Sequence, residues 1–153
     1  MAVNSGSLAA PAAVGGPRVV RYSAHVTAPM QYTIDADRGF ALVRVDGPLT
    51  VAAVEATLPK FLADPDFRPG LATVFDMTTA DLHQLQPQTI LAIQSINVRH
   101  AEQRGRARVA LVAADDLRFG VSRMYEVLGP SPNLTVQVFR TLDEAIAWAA
   151  SGH

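Results

Sequence analysis

Cysteine is absent from the 153 residues. That excludes disulfides, thiolate nucleophiles, iron–sulfur clusters and cysteine-ligated zinc. Lysine is nearly absent: Lys60 stands alone, and arginine supplies the rest of the 13 basic residues. Against 14 acidic residues they leave a net charge of −1, so bulk charge does not make the chain a nucleic-acid binder. No apolar run approaches the roughly 18 residues that a membrane span needs. What is plentiful is core-forming material. Hydrophobic residues make up 49% of the chain and charged ones 18%. A chain of this length buries about two-thirds of its unfolded surface and folds without a covalent staple.

Met1 to Pro17 is rich in Ala, Gly, Pro and Ser. No positive charge precedes its apolar part, and Pro11, Gly15, Gly16 and Pro17 interrupt it, so it does not read as a signal peptide. Residues 1–29 are expected to form a flexible or weakly ordered segment, and residues 30–153 a single domain in the cytoplasm. Within the segment, Val20, Tyr22, Ala24 and Val26 alternate with Val19, Arg21, Ser23 and His25. That weak strand pattern suits a sheet edge. Ordered patterning begins just after Met30, which makes Met30 an alternative translation start to Met1.

The body reads β-β-α-β-α-β-α-β-α. Gln31 to Asp35 and Phe40 to Asp46 flank the turn cluster Asp35-Ala-Asp-Arg-Gly39, a hairpin signature. Thr50 can cap a helix carrying Val51, Val54, Leu58, Phe61 and Leu62, and Pro59 inside it predicts a kink or a break. Leu71 to Phe75 is a short apolar run ending at Asp76, as a buried parallel strand does. Thr78 to Gln86 reads as irregular. Pro87 opens a helix to about Gln103, with Ile90, Ile93 and Ile96 inward, Leu91 and Val98 widening that face, and Gly105 as the stop. Val109 to Ala113 is the second buried strand, followed by Asp115 and Asp116. Leu117, Val121, Met124 and Leu128 space a third helix. Leu134 to Val138 is a half-exposed strand. Thr141-Leu-Asp-Glu144 is a capping box for a last helix with Leu142, Ala145, Ile146 and Ala149 inward. The expected fold is α/β: a mixed, mostly parallel five-stranded sheet flanked by four helices.

Catalytic signatures are missing. No phosphate-cradling glycine loop and no G-x-S-x-G elbow occurs. His25, His83, His100 and His153 lack metal-ligand spacing. Asn133-Leu-Thr135 matches a glycosylation acceptor, without the secretory signal that would give it meaning. Phe75-Asp-Met-Thr-Thr79 superficially resembles a haloacid-dehalogenase nucleophile loop, but Thr78 stands where the acid/base aspartate belongs. The carboxyl ends of parallel strands share one edge, where ligands usually bind. Asp46, Asp76, Asp115 and Asp116, with Thr78 and Thr79, are therefore a candidate functional edge, and three or four carboxylates there would suit Mg²⁺. A receiver-type aspartate cluster would also need a lysine after the last strand, where Arg140 stands. The alternative reading makes these aspartates turn and cap residues. Arg99, Arg104, Arg118 and Arg123, with His100, Arg106 and Arg108, form a candidate anion or partner patch, or simply a solvated helix end. No cofactor or resident metal is implied.

Several strings resemble a known family: Phe75-Asp-Met, Arg108-Val-Ala-Leu-Val112, Phe119-Gly-Val-Ser-Arg-Met-Tyr125, and Val138-Phe-Arg-Thr-Leu-Asp-Glu-Ala-Ile-Ala-Trp148. From about Tyr32 to Ala150 the chain resembles the SpoIIAA-like branch of the STAS (sulfate transporter and anti-sigma-factor antagonist) superfamily. These are packing and capping strings. The resemblance implies a non-enzymatic regulatory or protein-interaction domain, acting on a protein partner or a second copy of itself. Anti-sigma antagonists carry a phosphorylated serine after an Asp-Ser-Ser-Gly-type loop. Here the segment from Asp76 to Pro87 has neither serine nor glycine. Only Thr78, Thr79 and Thr89 offer hydroxyls nearby, so no phosphosite carries over. Related branches bind lipids or other apolar ligands, which makes a ligand-binding protein the alternative expectation. The surplus apolar positions Leu91, Val98, Tyr125 and Val127 suit that or a dimer contact. A metal-dependent enzyme at the acidic edge is the third.

Overall fold

The computed structural model describes residues 30–83 and 85–152. The expectations for residues 1–29, including the strand pattern at 18–26, lie outside the described residues, as does His153. Strands β1 (Met30–Asp35) and β2 (Phe40–Pro48) form the antiparallel hairpin, with Met30 opposite Val45 and Asp35 opposite Phe40. Gly39, at φ 79°, closes the turn, a backbone state that glycine adopts without penalty.

Helix α1 (Val51–Leu62) starts where Thr50 Oγ1 accepts from the Ala53 amide at 3.1 Å. It does not break at Pro59. One missing hydrogen bond near the helix end is offset by burial on both sides of it: Leu58, Phe61 and Leu62 pack onto Ile34 and Ala41. Edge-on ring contacts of Phe61 with Tyr32 (5.3 Å) and Phe67 (5.1 Å) add to this.

Strand β3 (Ala72–Asp81) is much longer than the apolar run Leu71–Phe75, and Asp76 lies at its middle. The segment expected to be irregular is strand as far as Asp81. Arg44 pairs with Asp76 but Asp46 pairs with Thr79, so β3 carries one extra residue there. Such a bulge re-aims the strand and lets Met77 and Ala80 both face the core.

The next helix also differs from expectation. It stops at Arg99, giving α2 (Pro87–Arg99), and a single turn, α3 (Ala101–Arg104), follows. His100, at φ −106° and ψ 11°, separates the two. The elements then run β4 (Ala107–Val112), α4 (Asp116–Leu128), β5 (Leu134–Phe139) and α5 (Leu142–Ala150). Helix α5 has Thr141 at its cap, accepting from the Glu144 amide.

The sheet order is β1-β2-β3-β4-β5, and every pair after the hairpin is parallel. Parallel strands laid down in simple sequence with right-handed crossovers put all their connecting helices on one face. Helices α1, α2 and α4 accordingly cover an inner face built from Val43, Val45, Phe75, Met77, Val109 and Leu111. Among the described residues only the terminal helix is left for the outer face. There Ala145 and Ala149 pack on Phe40, Ala72, Val74, Ala110 and Val112.

Two helical faces are phased differently from the sequence reading. Ile90, Ile93 and Ile96 are buried on α2, but Leu91 and Val98 are exposed. On α4, Val121 and Met124 pack inward, whereas Leu117 (69% exposed) and Leu128 point out. The fully buried residue of that helix is Ser122. Phe119 and Tyr125 supply the bulk on either side of it.

Candidate functional site

The parallel sheet brings its acidic residues near one edge without making them a cluster. Asp46 accepts a hydrogen bond from the Thr79 hydroxyl. Asp76 belongs to the strand interior, not its end. It is buried on the outer face of the sheet, accepts from the Thr78 amide (3.0 Å) and hydroxyl (2.7 Å), and lies 3.7 Å from the Arg44 guanidinium. Asp115 caps α4, accepting from the Arg118 amide at 2.8 Å and pairing with its guanidinium. Asp116 is bound by Arg140 at 2.9 Å, and Arg140 lies over the Phe119 ring at 4.0 Å. Asp81, the true end of β3, accepts from the His83 amide and ring.

His83 holds the Asp81 carboxyl below the usual carboxylate range, and Arg118 does the same for Asp115. Each carboxylate is occupied by a local partner, and Thr78 and Thr79 are donors to two of them. Among the described residues no three carboxylates or imidazoles stand together as a metal site.

The arginines also disperse. Arg99 pairs with Glu55 (3.5 Å) and Arg123 with Glu126 (3.0 Å). Arg118 turns to the edge just described, donating to the Ala80 carbonyl at 2.7 Å. Arg108 lies over the Trp148 ring and donates to that residue's carbonyl at 2.7 Å. Arg106 and Arg108 line an open depression beside Gly70 and Asn133. Arg104 is no part of a surface patch. It is 4% exposed, and it donates from Nη2 to the Thr73 hydroxyl at 2.9 Å, beneath the helices.

That inward arginine marks a different site. Between the inner sheet face and the helices lies a cavity of about 80 Å³. Its lining draws on all five strands, from Met30 and Tyr32 on β1 to Leu134 on β5. The small free space they enclose is a slot beneath the helices. Leu58, Phe61, Ile93 and Tyr125 roof it, and half-buried Tyr32, Val54 and Thr57 also line it.

The slot exists because polar residues stand where a packed core would have large apolar ones. Thr73 on β3, Asn97 on α2 and Ser122 on α4 are all buried, and they line it together with Arg104 and Tyr125. The Asn97 amide donates to the Tyr125 hydroxyl at 3.1 Å. Arg104 Nε and Ser122 Oγ are buried with no hydrogen-bond partner among the described residues. Unmade hydrogen bonds inside a protein are costly and uncommon.

Burial pushes the Arg104 guanidinium down from its ordinary value, with Tyr125 acting the other way. An arginine still keeps its charge at neutral pH. Burial pushes the Tyr125 phenol up, opposed by Arg104 and the bond from Asn97. The sign of the consequence is definite. An unfolded tyrosine releases its proton near pH 10, and the folded one holds it longer. The stability contributed by Tyr125 is therefore complete below about pH 10 and is lost as pH rises through the raised folded value. Tyr125→Phe is expected to flatten the alkaline fall of the melting temperature and to remove a late-titrating phenol from the ultraviolet titration.

Sequence reasoning missed Thr73, Asn97 and Ser122. Asn97 carried a signal: it follows Ile90 and Ile93 at helical spacing, a polar side chain on a core face. Ser122 carried none, because the apolar spacing chosen for α4 put a different face inward.

A search of solved structures finds an uncharacterized protein of the DUF3478 family with a SpoIIAA-like fold, from Shewanella loihica PV-4. It is 18% identical, with a TM-score of 0.52, and the match covers 78% of this chain and 91% of that one. The fold is SpoIIAA-like, as the packing strings implied. No family model matches the chain, and no curated protein does. No helix among the described residues is long and apolar enough to cross a membrane.

Proposed function

We propose that the domain is a non-enzymatic binding module that takes a small, largely apolar ligand between its sheet and its helices. The observation that carries this reading is the slot, which has the lining of a small-molecule site, apolar with a few convergent polar groups, and at about 80 Å³ would widen to take one. Among the described residues no carboxylate, imidazole or amine lines it, so these residues offer a bound molecule contacts but no general base. A cytoplasmic location is part of this reading.

Regulation through a protein partner or a second copy is the companion reading. Leu91 and Val98 on α2, and Leu117 and Val127 on α4, are between 49% and 75% exposed. Those helices roof the slot, so a ligand beneath them is placed to alter the surface they present.

Native mass spectrometry with added octanol tests both. A one-to-one ligand adduct, with a melting temperature that climbs with ligand concentration, is the expected result. A chain that stays ligand-free and melts unchanged at saturating octanol overturns the binding reading. A dimer mass supports self-association, and a strictly monomeric particle at high concentration counts against it.

A further inference from the structure

Arg104 and Ser122 have donors that the fold leaves unused. A buried guanidinium normally finds a carboxylate, because an isolated charge inside a protein costs several kcal/mol. Among the described residues Arg104 finds only the Thr73 hydroxyl, a neutral group. Asp76, the acidic neighbour on the same strand, faces the opposite side of the sheet and is taken by Thr78. Arginine cannot escape the cost by losing its proton, as a buried lysine does.

Nε lies beside Nη2 on one edge of the guanidinium plane, an edge that matches the two oxygens of a carboxylate. Ser122 Oγ, one turn before Tyr125 on α4, lines the same cavity and has a hydroxyl to donate. Most of the remaining lining is apolar, with Tyr32, Thr57, Thr73, Asn97 and Tyr125 as its other polar side chains. A site with one buried positive charge at a narrow hydrocarbon-lined slot selects for a particular kind of molecule.

We infer that the slot receives a linear aliphatic monocarboxylate, its carboxylate held by Arg104 and Ser122 and its chain lying along the inner sheet face. This rests on the binding reading above and names the ligand class for that same site. The free volume of about 80 Å³ is about half that of an engineered apolar cavity that takes benzene. Butyrate has as many heavy atoms as benzene, so even a short chain requires the helices to shift outward, and longer ones require them to part further. Either source, a short-chain acid or a fatty acid, presents the same head.

The test is calorimetric titration of the full chain with butyrate, octanoate, palmitate and octanol. Octanoate is expected to bind at least about tenfold more tightly than octanol, as a hydrogen bond to a charged group allows. Arg104→Met should erase that difference while octanol binding persists, and Ser122→Ala should weaken octanoate several-fold. Ser122→Ala also stands in if the arginine variant fails to fold. Tightest binding by butyrate identifies a short-chain acid, and by palmitate a fatty acid. Octanol binding as tightly as octanoate, or octanoate indifferent to both substitutions, overturns the carboxylate and leaves the apolar site standing. If no probe binds at all, the binding reading itself fails.

Discussion

Arg104→Met is expected to raise the melting temperature of the ligand-free protein, although it deletes a hydrogen bond seen in the fold. Methionine matches the arginine stem in length and bends to fill irregular space. It removes a charge that is 4% exposed and has one neutral acceptor among the described residues. Replacing a buried ion pair by apolar residues of similar volume is often neutral or stabilising, by up to about 4 kcal/mol, and a buried charge without a counter-charge has less attraction to lose. Against this stands the Thr73 hydroxyl, which loses its donor at a cost of about 1 kcal/mol. The balance is a gain of about 1–2 kcal/mol, or several degrees for a domain of this size. Differential scanning calorimetry on the apo proteins measures it. A fall of similar size would make Arg104 a structural tie between α3 and β3, with no role in receiving a ligand. The expected combination, a more stable protein that has lost its carboxylate preference, is how a functional residue held at the expense of stability behaves.

The architecture was legible where local rules and burial agree. Leu71–Phe75, apolar but for Thr73, and Val109–Ala113 fall largely within β3 and β4, the strands with partners on each side. Asp35-Ala-Asp-Arg-Gly39, Thr50, Gly105 and Thr141 mark their turn, caps and stop by side-chain or backbone chemistry that needs no distant partner. The failures have a common cause. The true end of β3 depends on a bulge registered against β2, more than thirty residues earlier in the chain. The face of α4 depends on two aromatic residues, Phe119 and Tyr125, competing with Leu117 and Leu128 for the same sheet. Arg104, next to a glycine and close to other arginines, has the local character of a solvated helix end. Its burial is decided by Thr73, thirty-one positions away. The acidic edge was read from strand ends, and it dissolved into caps and pairs once Asp76 proved to lie within a strand. Beyond the polar Asn97 on a core face the cavity had no linear signature, because a void is a property of what several elements fail to fill.

Gly105→Ala is expected to be among the most damaging single substitutions in the domain. Gly105 ends α3 at φ 77° and ψ −175°, a region that essentially only glycine occupies. A β-carbon there would lie 3.0 Å from the Gly70 amide nitrogen and 3.2 Å from Pro69 Cβ. The first neighbour is backbone, and it already donates to the Arg104 carbonyl at 2.9 Å, so neither side can give way without releasing that bond. Dihedral strain and the clash together are worth about 3 kcal/mol, or roughly 10 °C in the melting temperature. Gly120→Ala provides the control. Gly120 lies inside α4 with nothing within 4 Å of its added methyl, so it should gain up to about 1 kcal/mol from helix propensity. The consequence for the slot follows from the same geometry. The bond from Gly70 to the Arg104 carbonyl and the turn at Gly105 are what direct the Arg104 side chain beneath the helices. Where the alanine variant still folds at low temperature, it should bind octanoate more weakly than the parent while keeping its affinity for octanol. Equal loss of both probes would mean that the turn supports the apolar wall and not the orientation of the guanidinium.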